Sequence, residues 1–299
     1  MSDDGTIVAL DLGGTHVSAG RIDLASAAVE DFVRLPLPRD ADRTGLLSRI
    51  SRAAAEVAGD GFDRVAVAAP GPFDYRNGVC LLADKLVPLF GVDLRHELSD
   101  ALQAAPSSIV FVNDADAFLL GEWWVGAAVG HRRAVGVTLG TGLGSAFLDE
   151  GSVVDTGPLV PPKGSLHLVD YRGRPAEATI SGEALIERYG ASALDAREIA
   201  TLARGGDERA RRVFSELAAA LGDVIAPWLV SFDATCLVVG GSIARAWDLL
   251  RAELQETLAA LDGLETIAPA ARIDEAPLLG AALHAAQRGG PGAPEGFAR

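Results

Sequence analysis

Two glycine-rich turns, 127 residues apart, follow the same pattern and constrain the fold of this chain more than any other feature. The first lies in IVALDLGGTHVSAGRID at 7–23, and the second lies in AVGVTLGTGLGSAFLDEG at 134–151. Each segment is typical of a short apolar strand, a Gly/Thr turn and a second strand. Because a repeat of this length indicates two halves built on one plan, we predict that each half offers one turn to a shared cleft.

The composition of these turns is that of anion-binding loops. Glycine tolerates positive φ and leaves room beside the backbone, so consecutive amide N–H groups can converge on a phosphate oxygen. Asp11 ends the first predicted strand and would put a carboxylate at the mouth of the turn. Because that carboxylate would repel phosphate unless Mg²⁺ stood between them, the pattern predicts a metal–nucleotide site. A tight β-hairpin without a ligand is the alternative for either turn alone.

Charge and hydropathy disfavour several classes of partner. The chain has 299 residues, 49% of them hydrophobic, which is about two domains with a sizeable core. A formal net charge of −15 argues against nucleic acid and against an anionic membrane surface. Glycines and carboxylates interrupt every apolar run that might span a bilayer, and the acidic residues 1–6 do not resemble a signal peptide. We therefore expect a cytoplasmic protein, and Cys80 and Cys236 are too few for a disulfide framework.

Hydrophobic periodicity predicts alternating helices and strands along the whole chain, which is an α/β organisation. The predicted helices cover 43–58, 93–102, 115–129, 208–232 (bent or stopped near Pro227) and 276–287. We place the N-terminal half at 1–115 and the second half at 116–275. A C-terminal helix at 276–288 is expected to pack back on the N-terminal half, and the Gly/Pro-rich tail at 289–299 is expected to be disordered.

The segment SIVFVNDAD places two polar side chains, Asn113 and Asp114, where an apolar strand runs out. Open α/β sheets bind ligands at such carboxyl ends. An aspartate that faces a bound alcohol can accept its proton while the oxygen attacks a phosphoryl group, and Asn113 could hold a neighbouring hydroxyl. The alternative is that the Asn-Asp pair only caps the helix that follows.

Seven segments in register resemble the ROK family of sugar kinases, within the actin/hexokinase/Hsp70 ATPase superfamily. They are ALDLGGTHVSAGRI, VAVAAPGPFD, VFVNDADAFLLGE, VTLGTGLGSAFLDEG, GRPAEATISGEAL, LVVGGSIAR and PLLGAAL. The resemblance implies two RNase-H-like lobes, with ATP and a monosaccharide in the cleft between them, and a homodimer. The N-terminal lobe would then carry the first phosphate turn, the sugar pocket and the catalytic aspartate, and the second lobe the other phosphate turn and the adenosine site.

The resemblance also implies a role for each matching residue. Asp11 corresponds to the metal-associated aspartate, holding Mg²⁺ through water, and Asp114 to the catalytic base. The implied sugar ligands are Gly71, Pro72, Asn113, Asp114, His167 and Glu177. The implied nucleotide-binding residues are Gly13, Gly14 and Thr15 in the first turn, Gly140, Thr141 and Gly142 in the second, and Gly240, Gly241 and Ser242 at the adenosine end.

The chain departs from the family pattern after the second turn. Where family kinases carry Glu-x-Gly-His, this chain has GSLH, with Gly164 at the Glu position, Leu166 at the Gly position and His167 retained. A sugar-contacting carboxylate is therefore missing, which puts a glucose-type hydroxyl pattern in question, and His167 alone is as readily a structural residue. The cysteine-rich loop that binds zinc in many members is absent, so a zinc site of that type is excluded on ligand count.

These patterns lead to the prediction of an ATP- and Mg²⁺-dependent kinase acting on a hydroxyl of a hexose or related sugar. Two alternatives stay open at this stage: a catalytically weak sugar-binding regulator, and a phosphohydrolase or ATPase of the same superfamily. A repressor is not expected, because no helix-turn-helix precedes the first strand. The sugar, the phosphorylated carbon and a choice between ATP and polyphosphate cannot be read from the sequence. Neither lysine, Lys85 or Lys163, is assigned to the site.

Overall fold

A computed structural model describes residues 5–59, 61–83 and 85–288, which form two compact units. The first unit contains the described residues up to Val125 together with those from Asp274 onward, and the second contains Gly126–Ile273. The predicted disordered tail at 289–299 lies outside the described residues.

A five-stranded mixed sheet forms the centre of the first unit. The strands of this unit are β1 (Thr6–Leu12), β2 (His16–Asp23), β3 (Ala28–Pro36), β4 (Arg64–Ala69), β5 (Phe73–Asp74), β6 (Val79–Cys80) and β7 (Ile109–Asn113). The sheet has the order β3-β2-β1-β4-β7, in which β1, β4 and β7 are parallel and β1–β2–β3 form an antiparallel meander. Because β1 and β4 are apolar on both faces, helices cover both sides of the sheet.

The helices of the first unit separate into two layers. They are α1 (Arg43–Ala58), α2 (Leu94–Leu102), α3 (Asp114–Val125) and α8 (Ala276–Gln287). One apolar core contains Leu46 and Ile50 of α1, and a separate one lies between α8 and the other face of the sheet. Carboxylates of Asp42 and Asp93 accept backbone N–H groups at the starts of α1 and α2, which is why each helix begins directly after an aspartate.

The second unit repeats the sheet of the first. Its strands are β8 (Arg133–Leu139), β9 (Leu143–Asp149), β10 (Ser152–Val153), β11 (Cys236–Gly240) and β12 (Thr266–Pro269), in the order β10-β9-β8-β11-β12. Strand β8 parallels β11, and β11 parallels β12, just as β1, β4 and β7 do in the first unit. The α/β class predicted from periodicity is confirmed, as is the pair of RNase-H-like sheets that the family resemblance implied.

Four α-helices pack in the second unit, and the longest has the bounds predicted from the sequence, without stopping at Pro227. They are α4 (Gly182–Tyr189), α5 (Ala196–Arg204), α6 (Glu208–Phe232) and α7 (Trp247–Thr257). Pro227 lies inside α6, which continues to Phe232. By length and composition alone α6 could cross a membrane, although 56% of its most apolar window is buried, as in a core helix. The expectation that no apolar segment reaches spanning length was therefore wrong for this helix.

The helix that follows Asn113 belongs to the first unit, not to the second. The sequence boundary at 115/116 divides α3 near its start, whereas the two units divide after Val125. Helix α3 stays with the first unit because it packs along α8, which also belongs to that unit. A Cβ atom at Gly280 of α8 would lie 2.7 Å from the backbone N of Gly121 in α3, so two glycines allow the helices to approach.

Candidate active site

The first glycine turn joins β1 to β2 and is held by its own backbone. Gly13 N–H donates to the carbonyl of His16 at 2.9 Å, and Leu37 N–H donates to the carbonyl of Thr15 at 2.7 Å. The Thr15 hydroxyl and His16 Nδ1 form a further hydrogen bond of 2.9 Å. A Cβ at Gly13 would lie only 3.1 Å from the His16 carbonyl oxygen, so a side chain would crowd the turn.

Positive φ is not the reason for glycine in the two turns. Gly13, Gly14, Gly140 and Gly142 all lie outside the left-handed region, so the sequence argument from backbone freedom does not apply to them. What the absent side chains provide is space beside the backbone amides, which is the second part of that argument.

Asp11 lies at the carboxyl end of β1, where it is partly buried. Loss of water around the carboxylate, and next the negative charge of Asp114, raise the pKa of Asp11 to about 7. The positive charge of Arg34 opposes this shift, and Asp274, which pairs with Arg34 at 3.5 Å, adds to it. Two carboxylates that sequence reasoning assigned to one site are therefore close enough to repel each other. Arg34 and Asp274, which surround them, were not predicted.

Asn113 and Asp114 stand at the junction of β7 and α3, and Asn113 caps the helix. Its Oδ1 accepts N–H groups of Ala115 at 3.0 Å and Asp116 at 3.3 Å, while Asp114 Oδ1 accepts Ala115 N–H at 2.9 Å. The capping interpretation is therefore correct for Asn113. It does not exclude a second role, because Asn113 Nδ2 is directed to another partner, the hydroxyl of Tyr75, at 3.0 Å.

Tyr75 connects the Pro-Gly-Pro turn to Asn113 and was missed in the sequence. Its hydroxyl donates to the carbonyl of Ala69 at 3.1 Å, and a Cβ at Gly71 would lie 3.5 Å from it. The peptide bond between Gly71 and Pro72 is cis. Burial, the largest cause, raises the pKa of Tyr75, so the phenol stays protonated and neutral. No spacing rule identifies this tyrosine, because its partners lie on other strands.

The second glycine turn is supported by glycines from two other motifs. Gly140 N–H donates to the carbonyl of Gly142 at 3.0 Å, and Gly182 N–H donates to that of Gly140 at 2.8 Å. A Cβ at Gly182 would lie 2.6 Å from the Gly140 oxygen, and one at Gly241 would lie 2.7 Å from Leu139 N. Gly241 also has a φ of 81°, so only glycine fits there. The predicted adenosine segment, with Gly240 ending β11 and Ser242 following, therefore abuts the second turn, where Thr141 is exposed.

Glu177 lies against the second turn. Its Oε1 accepts the N–H of Leu143 at 3.0 Å, and its carboxylate occupies the space where a side chain at Gly142 would be. The residue predicted as a sugar ligand thus also braces a predicted phosphate turn.

His167 sits on a short 3-10 helix, Leu166–Leu168, and is partly buried. The hydroxyl of Ser145 holds the preceding loop by donating to the carbonyl of Gly164 at 2.6 Å and accepting from Leu166 N–H at 2.9 Å. Gly164 is buried with a φ of 64°, and a Cβ there would lie 3.5 Å from the Cα of Asp155. The backbone at the position of the missing glutamate therefore has a left-handed conformation that favours glycine.

The structure groups the predicted residues separately in each unit. The first unit brings together, at the carboxyl edge of β1, β4 and β7, the predicted residues Asp11, Gly13, Gly14, Thr15, Gly71, Pro72, Asn113 and Asp114. The second unit places Glu177 and the Gly240–Ser242 segment against the second turn.

The carboxylates at the carboxyl edge of the first sheet are suitable ligands for Mg²⁺. The described residues contain no group of three or more His, Cys, Asp or Glu side chains arranged to hold a metal ion. Asp11 and Asp114 repel each other there, and a cation would relieve that repulsion. Mg²⁺ is commonly held by one or two carboxylates, with water and substrate phosphates completing the octahedron, so a two-carboxylate edge fits it.

Comparison with known proteins identifies a single family over almost the whole chain. The model of the ROK family matches residues 7–288. A glucokinase of Thermotoga maritima is 27% identical over 92% of this chain and 96% of its own length. An N-acetyl-D-glucosamine kinase of Pectobacterium carotovorum is 30% identical over 91% of this chain and 96% of its own length. The crystal structure of a ROK hexokinase from Thermus thermophilus superimposes with a TM-score of 0.74 at 26% identity, covering 93% of this chain and 96% of that one.

Proposed function

The chain belongs to the ROK family, and from this premise we propose that it is an ATP-dependent kinase that phosphorylates a hydroxyl of a monosaccharide. The relatives named above are kinases of glucose and of N-acetylglucosamine, which supports the substrate class. The observation that carries the proposal is the edge of the first sheet, where Asp11 and the glycine turn lie at the end of β1 and the Asn113–Asp114 pair at the end of β7, with β4 between them.

Asp114 is the general base of the proposed reaction. As the sugar hydroxyl attacks the terminal phosphorus of ATP, the carboxylate accepts the hydroxyl proton. Its position at the first residue of α3 keeps the carboxylate rigid, because Ala115 N–H already binds one of its oxygens.

Asn113 and Tyr75 fix the orientation of the substrate. Tyr75 holds the Asn113 amide through Nδ2, and the helix holds it through Oδ1, so the side chain has one orientation. A preorganised polar group of this kind loses little entropy when the sugar binds.

The first glycine turn presents backbone N–H groups to the phosphates of ATP, and Gly14 leaves no Cβ atom in the way. Mg²⁺, when bound near Asp11, supplies charge neutralisation of the terminal phosphates. Asp11 can then remain ionised despite its burial, since the cation replaces the water that burial removes.

The loop before His167 narrows the choice of sugar. A carboxylate at position 164 is absent, and Glu177 is committed in part to the second turn. We therefore expect fewer charged contacts to the sugar than in a pocket with both carboxylates. A coupled ADP-release screen over hexoses, N-acetylated amino sugars, ketoses and inositols, with ATP and polyphosphate as donors, would identify both substrates.

Asp114→Asn tests the assignment of the base. We expect kcat to fall by about 10²–10⁴-fold, with sugar binding retained, because the amide preserves the shape but cannot accept the proton. Asp116→Asn, two residues further along the same helix, is the matched control and should keep kcat within about threefold. Wild-type kcat in Asp114→Asn would refute its role, and ADP release that does not depend on any sugar would refute a kinase altogether.

A further inference from the structure

Lys85, which no motif singles out, packs against the first glycine turn. A Cβ atom at Gly14 would lie 3.7 Å from Lys85 Cδ and 3.9 Å from Lys85 Cβ, which is ordinary van der Waals contact. The aliphatic stem of the lysine therefore runs over the bare backbone of Gly14. The ammonium lies two bonds beyond Cδ, so the side chain carries its charge within reach of the turn.

The loop that carries Lys85 is anchored on both sides of it. Leu82 and Leu86 are buried in the first unit, and a short 3-10 helix, Val87–Leu89, follows. Leu89 N–H donates to the carbonyl of Leu86 at 2.8 Å, and Gly91 N–H donates to that of Cys80 at 2.8 Å. Lys85 itself is partly buried. The position of its stem is thus set by the core of the unit and not by a free surface loop.

The residues of the first turn include no permanent cation, and Arg34, whose charge acts on Asp11, is paired with Asp274 at 3.5 Å. Terminal phosphates of a nucleotide bring several negative charges, and Asp11 and Asp114 already repel each other at this edge. The histidine of the turn, His16, is not the cation, because burial and then the charge of Arg34 lower its pKa, so it is neutral near pH 7. Lysine is a compact point charge on a slender stem, a form well suited to a narrow phosphate site.

We propose that Lys85 contacts the terminal, transferred phosphoryl group of ATP and compensates its charge at the first turn. The proposal rests on the proposed kinase function and adds a residue to it. Lys85 contacts the phosphoryl group and not the sugar. Removing its charge should therefore weaken the binding of a nucleoside triphosphate more than the binding of a nucleoside monophosphate.

Lys85→Met, which keeps the length of the stem and removes the charge, is the test, and Lys163→Met, at the other lysine of the chain, is its matched control. With the sugar that the screen identifies, we expect Lys85→Met to lower kcat/KM for ATP by about 10²-fold, as for loss of one transition-state contact. Lys85→Arg, which restores the charge, should recover part of that loss. Lys163→Met should remain within about twofold of wild type.

Binding of the nucleotides without turnover separates this role from a structural one. We expect Lys85→Met to weaken the binding of AMPPNP, a non-hydrolysable ATP analogue, at least tenfold in the presence of Mg²⁺. The affinity for AMP should not change. Equal loss for AMP and AMPPNP, or a change confined to the KM of the sugar, would overturn the proposal. If the wild type shows no sugar-dependent ADP release, the kinase function fails, while the AMPPNP-to-AMP comparison still reports on Lys85.

Discussion

At the scale of single residues, glycine is used in this protein for two different physical reasons. In the two turns, glycine leaves the space beside the backbone free of a side chain, as at Gly13, where a Cβ atom would lie 3.1 Å from the His16 carbonyl oxygen. At Gly164 and Gly241 it also supplies a left-handed φ of 64° and 81°. Substitution at the second kind of position is strained even where there is room, because L side chains rarely adopt that conformation.

Gly164→Glu, which would recreate the family carboxylate, is expected to destabilise the protein and not to add a sugar contact. The position is buried with a φ of 64°, and the new side chain would start 3.5 Å from the backbone of Asp155. Strain of about 1–3 kcal/mol is added to the cost of burying a charge. Urea unfolding should show a loss of at least about 2 kcal/mol.

Gly263→Glu is the control for that substitution, because Gly263 has open space around it and lies outside the left-handed region. It should unfold at the wild-type urea concentration. A stable Gly164→Glu protein with a lower KM for glucose would show that the loop retains the family geometry.

At the scale of elements, the proposed base depends on a helix pair. Asp114 is the first residue of α3, and the packing of α3 along α8 rests on Gly121 and Gly280. The direction of Asp114 is therefore set partly by a helix near the other end of the chain. The sequence predicted that the final helix packs back on the N-terminal half, but which helix it meets there was not predictable from its own composition.

Gly280→Ala should lower both stability and turnover. Its Cβ would lie 2.7 Å from the N of Gly121 and from the carbonyl carbon of Ala117, so the helices must separate. Overpacking of this kind costs about 1–3 kcal/mol, more than the roughly 1 kcal/mol that alanine returns in helix propensity. We expect Tm to fall by roughly 3–8 °C, together with kcat.

Gly45→Ala in α1 provides the comparison, since its Cβ would approach only Asp42 Oδ1, at 3.1 Å, and the Ala41 side chain. It should change Tm by less than about 2 °C. A Gly280→Ala protein with wild-type Tm would show that α3 and α8 do not depend on this contact.

At the scale of the whole molecule, the two units repeat one sheet topology. The chain as a whole carries a formal net charge of −15. The homodimer and the cytoplasmic location stay predictions. Electrostatic behaviour of the whole protein is more readily tested. Buried groups whose pKa values shift on folding make stability depend on pH.

His284 of α8 should make the protein sensitive to acid. Its Nε2 is buried and has no hydrogen-bond partner among residues 5–59, 61–83 and 85–288, and burial lowers its pKa from 6.5 to about 4. The folded protein then binds fewer protons than the unfolded chain between pH 4 and 6.5, so this contribution is lost as pH falls through that window. In His284→Leu, the loss of unfolding free energy from pH 7 to pH 4 should be smaller than in wild type by about 2–3 kcal/mol.

His131→Leu is the matched substitution at another partly buried histidine, whose ring hydrogen-bonds to the hydroxyls of Thr235 and Thr266. Urea unfolding at pH 4, 5, 6 and 7 measures both variants. If the free energy of unfolding changed with pH in the same way in wild type and in His284→Leu, the lowered pKa of His284 would be contradicted.

Read by itself, the sequence determined the α/β class from its periodicity, two halves on one plan from the glycine-turn repeat, and the strand ends at which Asp11 and Asp114 lie from its apolar runs. Those features are local, because strand periodicity and turn composition are carried by neighbouring residues. Only the tertiary structure decided that Tyr75 holds Asn113, that Glu177 braces the second turn and that Lys85 lies on Gly14. Each of these contacts joins residues distant in the chain, and side-chain packing brings them together without leaving a periodic signal in the sequence.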